Sequence, residues 1–139
     1  MNSKEDSLFE KAMTDYKSGL PIDQILKDFE YITTSNPSSA AGWTCLSWLQ
    51  LLAGENNEAL RSARYAVKLN GQDPQARINL SLALLETNAK GVRENVEFVK
   101  RALMIIPDLE EELKESIEDG LLRKPNWKAL IKMKNWLEL

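Results

Sequence analysis

Recurrence at an interval of about 34 residues is the feature that most limits what this chain can fold into. Phe9 and Trp43 mark one such interval, and Pro37, Pro74 and Pro107 return at nearly the same spacing. Between Pro37 and Pro74 two helical patterns sit back to back. Trp43, Leu46, Gln50 and Ala53 follow one another at three or four residues, and beyond Gly54 the small or apolar residues Ala59, Leu60, Ala63, Ala66 and Val67 do the same. The stretch predicts a helical hairpin, with small residues where the second helix comes close. Repetition of such a unit predicts a stack in which each hairpin covers the apolar face of the next.

The central hairpin resembles the tetratricopeptide repeat, whose signature runs W-x2-L-G-x2-Y, then A-x3-F, then P. Trp43, Leu46 and Ala59 match it, Ser47 stands for the glycine, Gln50 for the tyrosine and Ala63 for the second aromatic, and Pro74 comes three residues late. In the preceding unit Phe9 takes the tryptophan position, Ala12 the leucine position and Met13 the glycine position. Tyr16 and Phe29 are the consensus aromatics there, Ile25 stands at the small position, and Pro37 closes the unit. A more divergent third unit places Leu80 at the tryptophan position, Ala83 at the leucine position and Val96 at the alanine of the second helix. The resemblance covers about residues 6–107. It implies an all-α fold, a right-handed superhelical array of hairpins in one domain over residues 1–139. The units fall at about 6–39, 40–73 and 77–107, with a C-terminal capping helix pair over about 108–139.

Local signals punctuate the same scheme. Gly19-Leu20-Pro21, Gly54 and Asn88-Ala89-Lys90-Gly91 predict the hairpin turns, with Asn56 or Asn57 capping the helix after Gly54. Asp73 before Pro74 reads as an N-cap followed by proline at the first helical position, and Asp108 with Glu111 reads as a capping box. Trp43, at the signature position, is expected in the interior between helices. Leu109, Leu113 and Ile117 form one apolar stripe. After the break at Lys124-Pro125-Asn126, a last helix opened by Trp127 carries Leu130, Ile131, Met133, Trp136 and Leu137.

Composition narrows the function. The chain has no histidine and a single cysteine, Cys45. The commonest general base and the commonest neutral metal ligand are therefore missing, and no cysteine cluster replaces them. No catalytic residue, metal site or cofactor is expected. With 18 basic and 21 acidic side chains the net charge is −3, which supplies no general field for nucleic acid. The amino-terminal MNSKEDSLFEKAM lacks the apolar run of a signal peptide, and no stretch approaches the length of a membrane span. Direct membrane insertion is not expected, and the expected location is cytoplasmic.

The resemblance also says where a partner would bind, because in tetratricopeptide folds the first helix of each pair lines the inner, concave face. On this chain that face carries Trp48, Leu51, Leu52, Ile78, Leu82 and Leu85, a strip of the kind that supplies binding energy at interface centres. A secondary candidate surface is basic: Lys11, Lys124, Lys128 and Lys132. The rival for the strip is the terminal helix itself, which would fill the groove as core. Seven acidic residues between Asp108 and Asp119 and five basic residues between Arg123 and Lys134 read as the solvated faces of two neighbouring helices that attract each other or, with the groove filled from within, as the exposed, charge-steered contact surface. The expected function is a non-enzymatic scaffold or adaptor that binds a protein or peptide, with homodimerisation compatible. The alternative is a small tetratricopeptide-type chaperone or assembly factor that holds an apolar client segment. A lesser alternative is an RNA-binding helical repeat, which is disfavoured because most of the arginines and lysines fall on second helices among acids.

Overall fold

A computed structural model describes residues 3–139, so Met1 and Asn2, at the head of the stretch read above for a signal peptide, lie outside the described residues. Eight helices follow in order: α1 (Ser3–Lys17), α2 (Ile22–Ser35), α3 (Ala40–Leu52), α4 (Asn56–Leu69), α5 (Pro74–Glu86), α6 (Val92–Ile105), α7 (Leu109–Arg123) and α8 (Lys128–Trp136). Among the described residues there is no strand. Helices α1 to α6 pack in chain order as three hairpins, and the α7–α8 pair closes the array.

The helix ends follow from local chemistry. Gly19 and Gly54 both adopt φ +79°, which only glycine takes up without steric cost, and each ends its helix with a paired closure. Leu20 N donates to Asp15 O and Gly19 N to Tyr16 O, while Glu55 N donates to Gln50 O and Gly54 N to Leu51 O. Asp73 accepts from Gln75 N at 3.0 Å with Pro74 at the first helical position, as expected. Ser39 caps α3 in the same manner through Gly42 N, at 3.0 Å. Two expected caps do not form. Asn56 is already inside α4, behind Glu55 at the N-cap. Asp108 sits at φ +66°, outside the extended region that turns a capping side chain toward the first turn, and makes no cap bond.

The third unit keeps a different register from the one read in the sequence. Helix α3 runs from 40 to 52 and α5 from 74 to 86, so both ends are displaced by the interval that separates Phe9 from Trp43. That interval places Arg77 on Trp43, whereas Leu80 falls one helical turn beyond it. The links before α3 and α5 are equally long, residues 36–39 and 70–73, and the turn at 87–91 is longer than the turn at 53–55. The extra length therefore lies inside the third hairpin. The guanidinium of Arg77 lies 4.5 Å over the Phe98 ring, Trp43 stacks on Tyr65 at 4.9 Å, and Phe9 meets Phe29 edge-on at 5.3 Å. Phe9, Trp43 and Arg77 thus recur in one register, and each lies against an aromatic ring of its own second helix.

Three apolar clusters hold the array together; the least of them, Ala63, Leu80 and Leu84, joins α4 to α5, and the other two shape the inner face. Of these two, the smaller joins α1, α2 and α3 through Ala12, Ile25, Phe29, Ile32, Leu46 and Leu49. The larger joins α3, α5 and α6 to the terminal pair, with Leu51, Ile78, Leu82, Val99, Ile117, Trp127, Leu130 and Met133 all within a few per cent of complete burial. Helix α8 lies directly against α5. Trp43, expected in the interior, is instead half-buried at the margin of the smaller cluster, and its indole N–H donates to Pro37 O at 2.8 Å.

The two tryptophans should therefore separate in a denaturant titration. Trp127→Ala is expected to cost about 3–5 kcal/mol through lost burial and the cavity left behind, and Trp43→Ala about 1–2 kcal/mol through partial burial and one stacking contact. The Trp127 indole nitrogen is buried without a hydrogen-bond partner, so Trp127→Phe should retain most of the stability that alanine loses. Equal losses for Trp43→Ala and Trp127→Ala would contradict this division.

Candidate functional site

The first helices α1, α3 and α5 present the inner face, and the structure divides it in two. In its carboxy-terminal half, α7 and α8 lie on the face and complete the core. Leu51, Ile78 and Leu82 are 0–1% exposed there, and Leu52 and Leu85 pack partly buried against the same cluster. The expectation of an open apolar strip is corrected for Leu51, Ile78 and Leu82, which are interior in the cluster that α7 and α8 complete, while Leu52 and Leu85 stay partly exposed beside it. The shared apolar face of the first helices is satisfied from within the chain. Trp48 alone of the six reaches the part that remains open.

That open part is a cavity of about 500 Å³ bounded by α1, α3, α5 and α7. Met13, Phe29, Cys45, Trp48 and Leu49 form an apolar floor, Gln75 and Asn79 close one end with amides, and α7 supplies an opposing wall of Glu112, Glu115, Ser116 and Asp119. Periodicity explains the wall. Residues 112, 115, 116 and 119 recur at three- and four-residue steps and so share one face of the helix. At the floor, Asn79 is fully buried and its amide donates to Thr44 O and Ser47 Oγ, both at 3.0 Å, while Gln75 Nε2 donates to Asn79 Oδ1 at 2.8 Å. The two bonds from Asn79 tie α5 to α3 and fix that end of the cavity.

A polar clasp locks α7 against α1. The Tyr16 hydroxyl donates to Asp119 Oδ2 and accepts from the Trp48 indole N–H at 2.8 Å. Arg123 binds Asp119 through Nε at 3.1 Å, donates from Nη2 to Tyr16 O at 2.6 Å, and lays its guanidinium 3.8 Å over the Tyr16 ring. Burial first, and then the bond to Asp119, hold the Tyr16 phenol above its ordinary value of 10. Where α7 crosses Trp48 it carries Gly120, and a Cβ there would lie 2.9 Å from the indole and 2.7 Å from Leu130. The helix approaches this closely only because that position is glycine.

The lysines of the secondary candidate surface have separate settings. Lys11 pairs with Asp15 at 2.8 Å and lies 3.8 Å from Asp28 on α2, away from the cavity lining. Lys124 donates to Leu51 O at 3.2 Å with its ammonium 5.0 Å from the Trp127 ring centre, a structural tie between the α7–α8 turn and α3. Lys128 and Lys132 are exposed on α8. Sequence reasoning missed Met13, Tyr16, Gln75 and Asn79 as lining residues. The register that sets Arg77 on Trp43 would have found Gln75 and Asn79, which are the counterparts of Ala41 and Cys45.

Cys45 lines the cavity, with its thiol 3.8 Å from Met13 Sδ. Burial, and then the charge of Asp73, push its pKa up to about 12. The thiolate that nucleophilic chemistry needs is suppressed.

No family model matches the sequence, and no curated protein matches it. Solved structures share its fold at low identity. The Yersinia enterocolitica type III secretion chaperone SycD, in complex with a peptide of the translocator YopD, is 14% identical with a TM-score of 0.71, over 89% of this chain and 95% of that one. PcrH in complex with the chaperone binding region of PopD is 15% identical with a TM-score of 0.67, over 93% and 92%. A double mutant of MamA RS-1 is 14% identical with a TM-score of 0.65, over 99% and 94%. At such identities the likeness is one of fold, and the fold is an all-helical repeat array.

The clasp sets a sign for alkaline pH. A phenol whose folded pKa is raised contributes stability that is fully present below about pH 10 and is lost as pH rises beyond it. The wild type should therefore keep its stability advantage over Tyr16→Phe, which lacks the group, up to about pH 10 and lose it progressively as pH rises beyond that. Parallel losses would remove Tyr16 from the account. For Cys45, alkylation by iodoacetamide near pH 8 should be slower than that of a free model thiol by about two orders of magnitude or more. A rate equal to the free thiol's would contradict the burial of the sulfur.

Proposed function

We propose that this protein is a tetratricopeptide-type binding module without enzymatic activity, acting in the cytoplasm as a small chaperone or assembly adaptor that holds a segment of another protein. The observation that carries the reading is the cavity between α1, α3, α5 and α7: an apolar floor beside a hydrogen-bonded polar end, on the inner face of a helical-repeat array. Its volume of about 500 Å³ lies within the roughly 300–1,000 Å³ typical of ligand pockets. Proteins of the same fold are solved with a translocator peptide and with a chaperone binding region bound, which supports a polypeptide as the occupant. The groove holds no reactive nucleophile, since Cys45 is kept as the thiol, and its charge is predominantly acidic, which disfavours RNA.

A second contact surface is supported by Met104 and Ile105, which are 86% and 76% exposed at the end of α6, beside Ile106. Adjacent apolar side chains at that exposure fit the adaptor reading, with the groove taking one partner and this strip another.

Photocrosslinking tests the reading. A benzophenone amino acid at Ser116, on the groove wall, should yield a discrete adduct with a partner in cells, whereas the same probe at Arg64, exposed on α4, should not. The adduct should disappear when Cys45→Phe fills the floor, provided thermal melting shows that the variant is folded. Identical adducts from both positions, or an adduct that survives filling of the floor, would move the binding site elsewhere.

A further inference from the structure

We infer that the segment held in this groove is basic as well as apolar, a stretch in which lysine or arginine flanks the apolar anchors; the inference rests on the binding role proposed above. Opposite the floor of Met13, Phe29 and Leu49, helix α7 directs Glu112, Glu115 and Asp119 into the same cavity, against one lining cation among the described residues, Lys17. Asp119 is engaged by Arg123 and Tyr16. Glu112 and Glu115 enter no ion pair among the described residues.

Helix chemistry accounts for only part of this charge. Glu110, Glu111 and Glu112 occupy the first turn of α7, where the helix dipole favours acids. Glu115 lies beyond that turn, on the cavity side, and gains nothing from the dipole. Two carboxylates on one wall of a partly enclosed cleft create a negative potential that an acidic or neutral segment would meet at a cost and a basic one would relieve. The floor supplies contact area and the wall sets polarity. A segment whose apolar residues seat on Met13, Phe29 and Leu49 brings its flanking residues within reach of α7.

Selection from a random dodecapeptide phage library tests this. The wild type should enrich peptides that combine apolar residues with lysine or arginine, and a representative synthetic peptide should bind the double variant Glu112→Gln, Glu115→Gln about fivefold more weakly at low salt. That difference should shrink as ionic strength rises. Both glutamates are exposed, so the double variant keeps the fold. Ser116→Trp and Cys45→Phe, which fill the groove from opposite sides, serve as reference proteins. Enriched peptides that are apolar without basic residues, or that bind the double variant unchanged, overturn the charge inference while leaving the binding role intact. Enrichment no greater on the wild type than on both filled variants overturns the binding role, and this inference with it.

Discussion

The indole of Trp48 is where the parts of this structure meet. Its N–H donates to the Tyr16 hydroxyl, its ring lies 5.4 Å from that of Trp127, and its edge faces Gly120, where α7 has no side chain. One residue of α3 thus connects the amino-terminal hairpin to both helices of the terminal pair. The contact is both apolar and polar, and the polar part adds direction to the burial. Apolar burial of α8 against α5 and of α7 against α6 is non-directional and does not by itself select one position. The bonds among Tyr16, Asp119 and Arg123 are satisfied by one, since each donor there has a fixed acceptor. A side chain at position 120 would require Leu130, the Trp48 indole or the helix itself to shift.

The repeat interval makes the three hairpins legible in the sequence, because it arises from helix length and turn length and both leave marks. Phe9, Trp43 and Arg77 keep the interval, yet only the first two are aromatic, so a reader following ring chemistry slides from Arg77 to Leu80. Arg77 holds the position by other means. Its guanidinium stacks on Phe98, its Nε donates to Gly71 O at 2.9 Å and its Nη1 to Asn95 Oδ1 at 3.1 Å. A planar cation replaces the indole and brings the hydrogen bonds that its charge requires when half-buried. The slide is close to one helical turn, so Ile78, Leu82 and Leu85 fall on the inner face in either register. Gln75 and Asn79 do not, and they are the ones that close the groove.

The division of the inner face was not legible. Trp48, Leu51, Leu52, Ile78, Leu82 and Leu85 form one continuous strip in the sequence, and nothing local distinguishes a strip that meets a partner from one that meets the chain's own terminal helix. The outcome depends on where the turn at Lys124-Pro125-Asn126 sends α8, a tertiary matter fixed by contacts far apart in sequence, among them Lys124 with Leu51 O. The acidic run of α7 was equally ambiguous. It reads as a solvated face, and most of it is exposed, but a helical repeat within it turns Glu112, Glu115 and Asp119 inward over the groove.

A groove placed between two cores can be occupied without disturbing either of them. Its floor belongs mainly to the cluster of α1, α2 and α3, whereas its wall stands on α7, whose own apolar stripe of Leu113 and Ile117 is buried in the other cluster. Each surface is anchored by its own burial, so the hydrogen-bonded clasp is left to set the distance between them. Burial changes slowly with small displacements, while hydrogen bonds and stacked cations weaken steeply with distance and angle. The width of the groove is therefore governed by Tyr16, Asp119 and Arg123 more than by either core. Its depth is governed by the side chains at Cys45 and Leu49. A fold that is mostly self-filled thus keeps one open place on its inner face, with a floor anchored in one core and a wall anchored in the other.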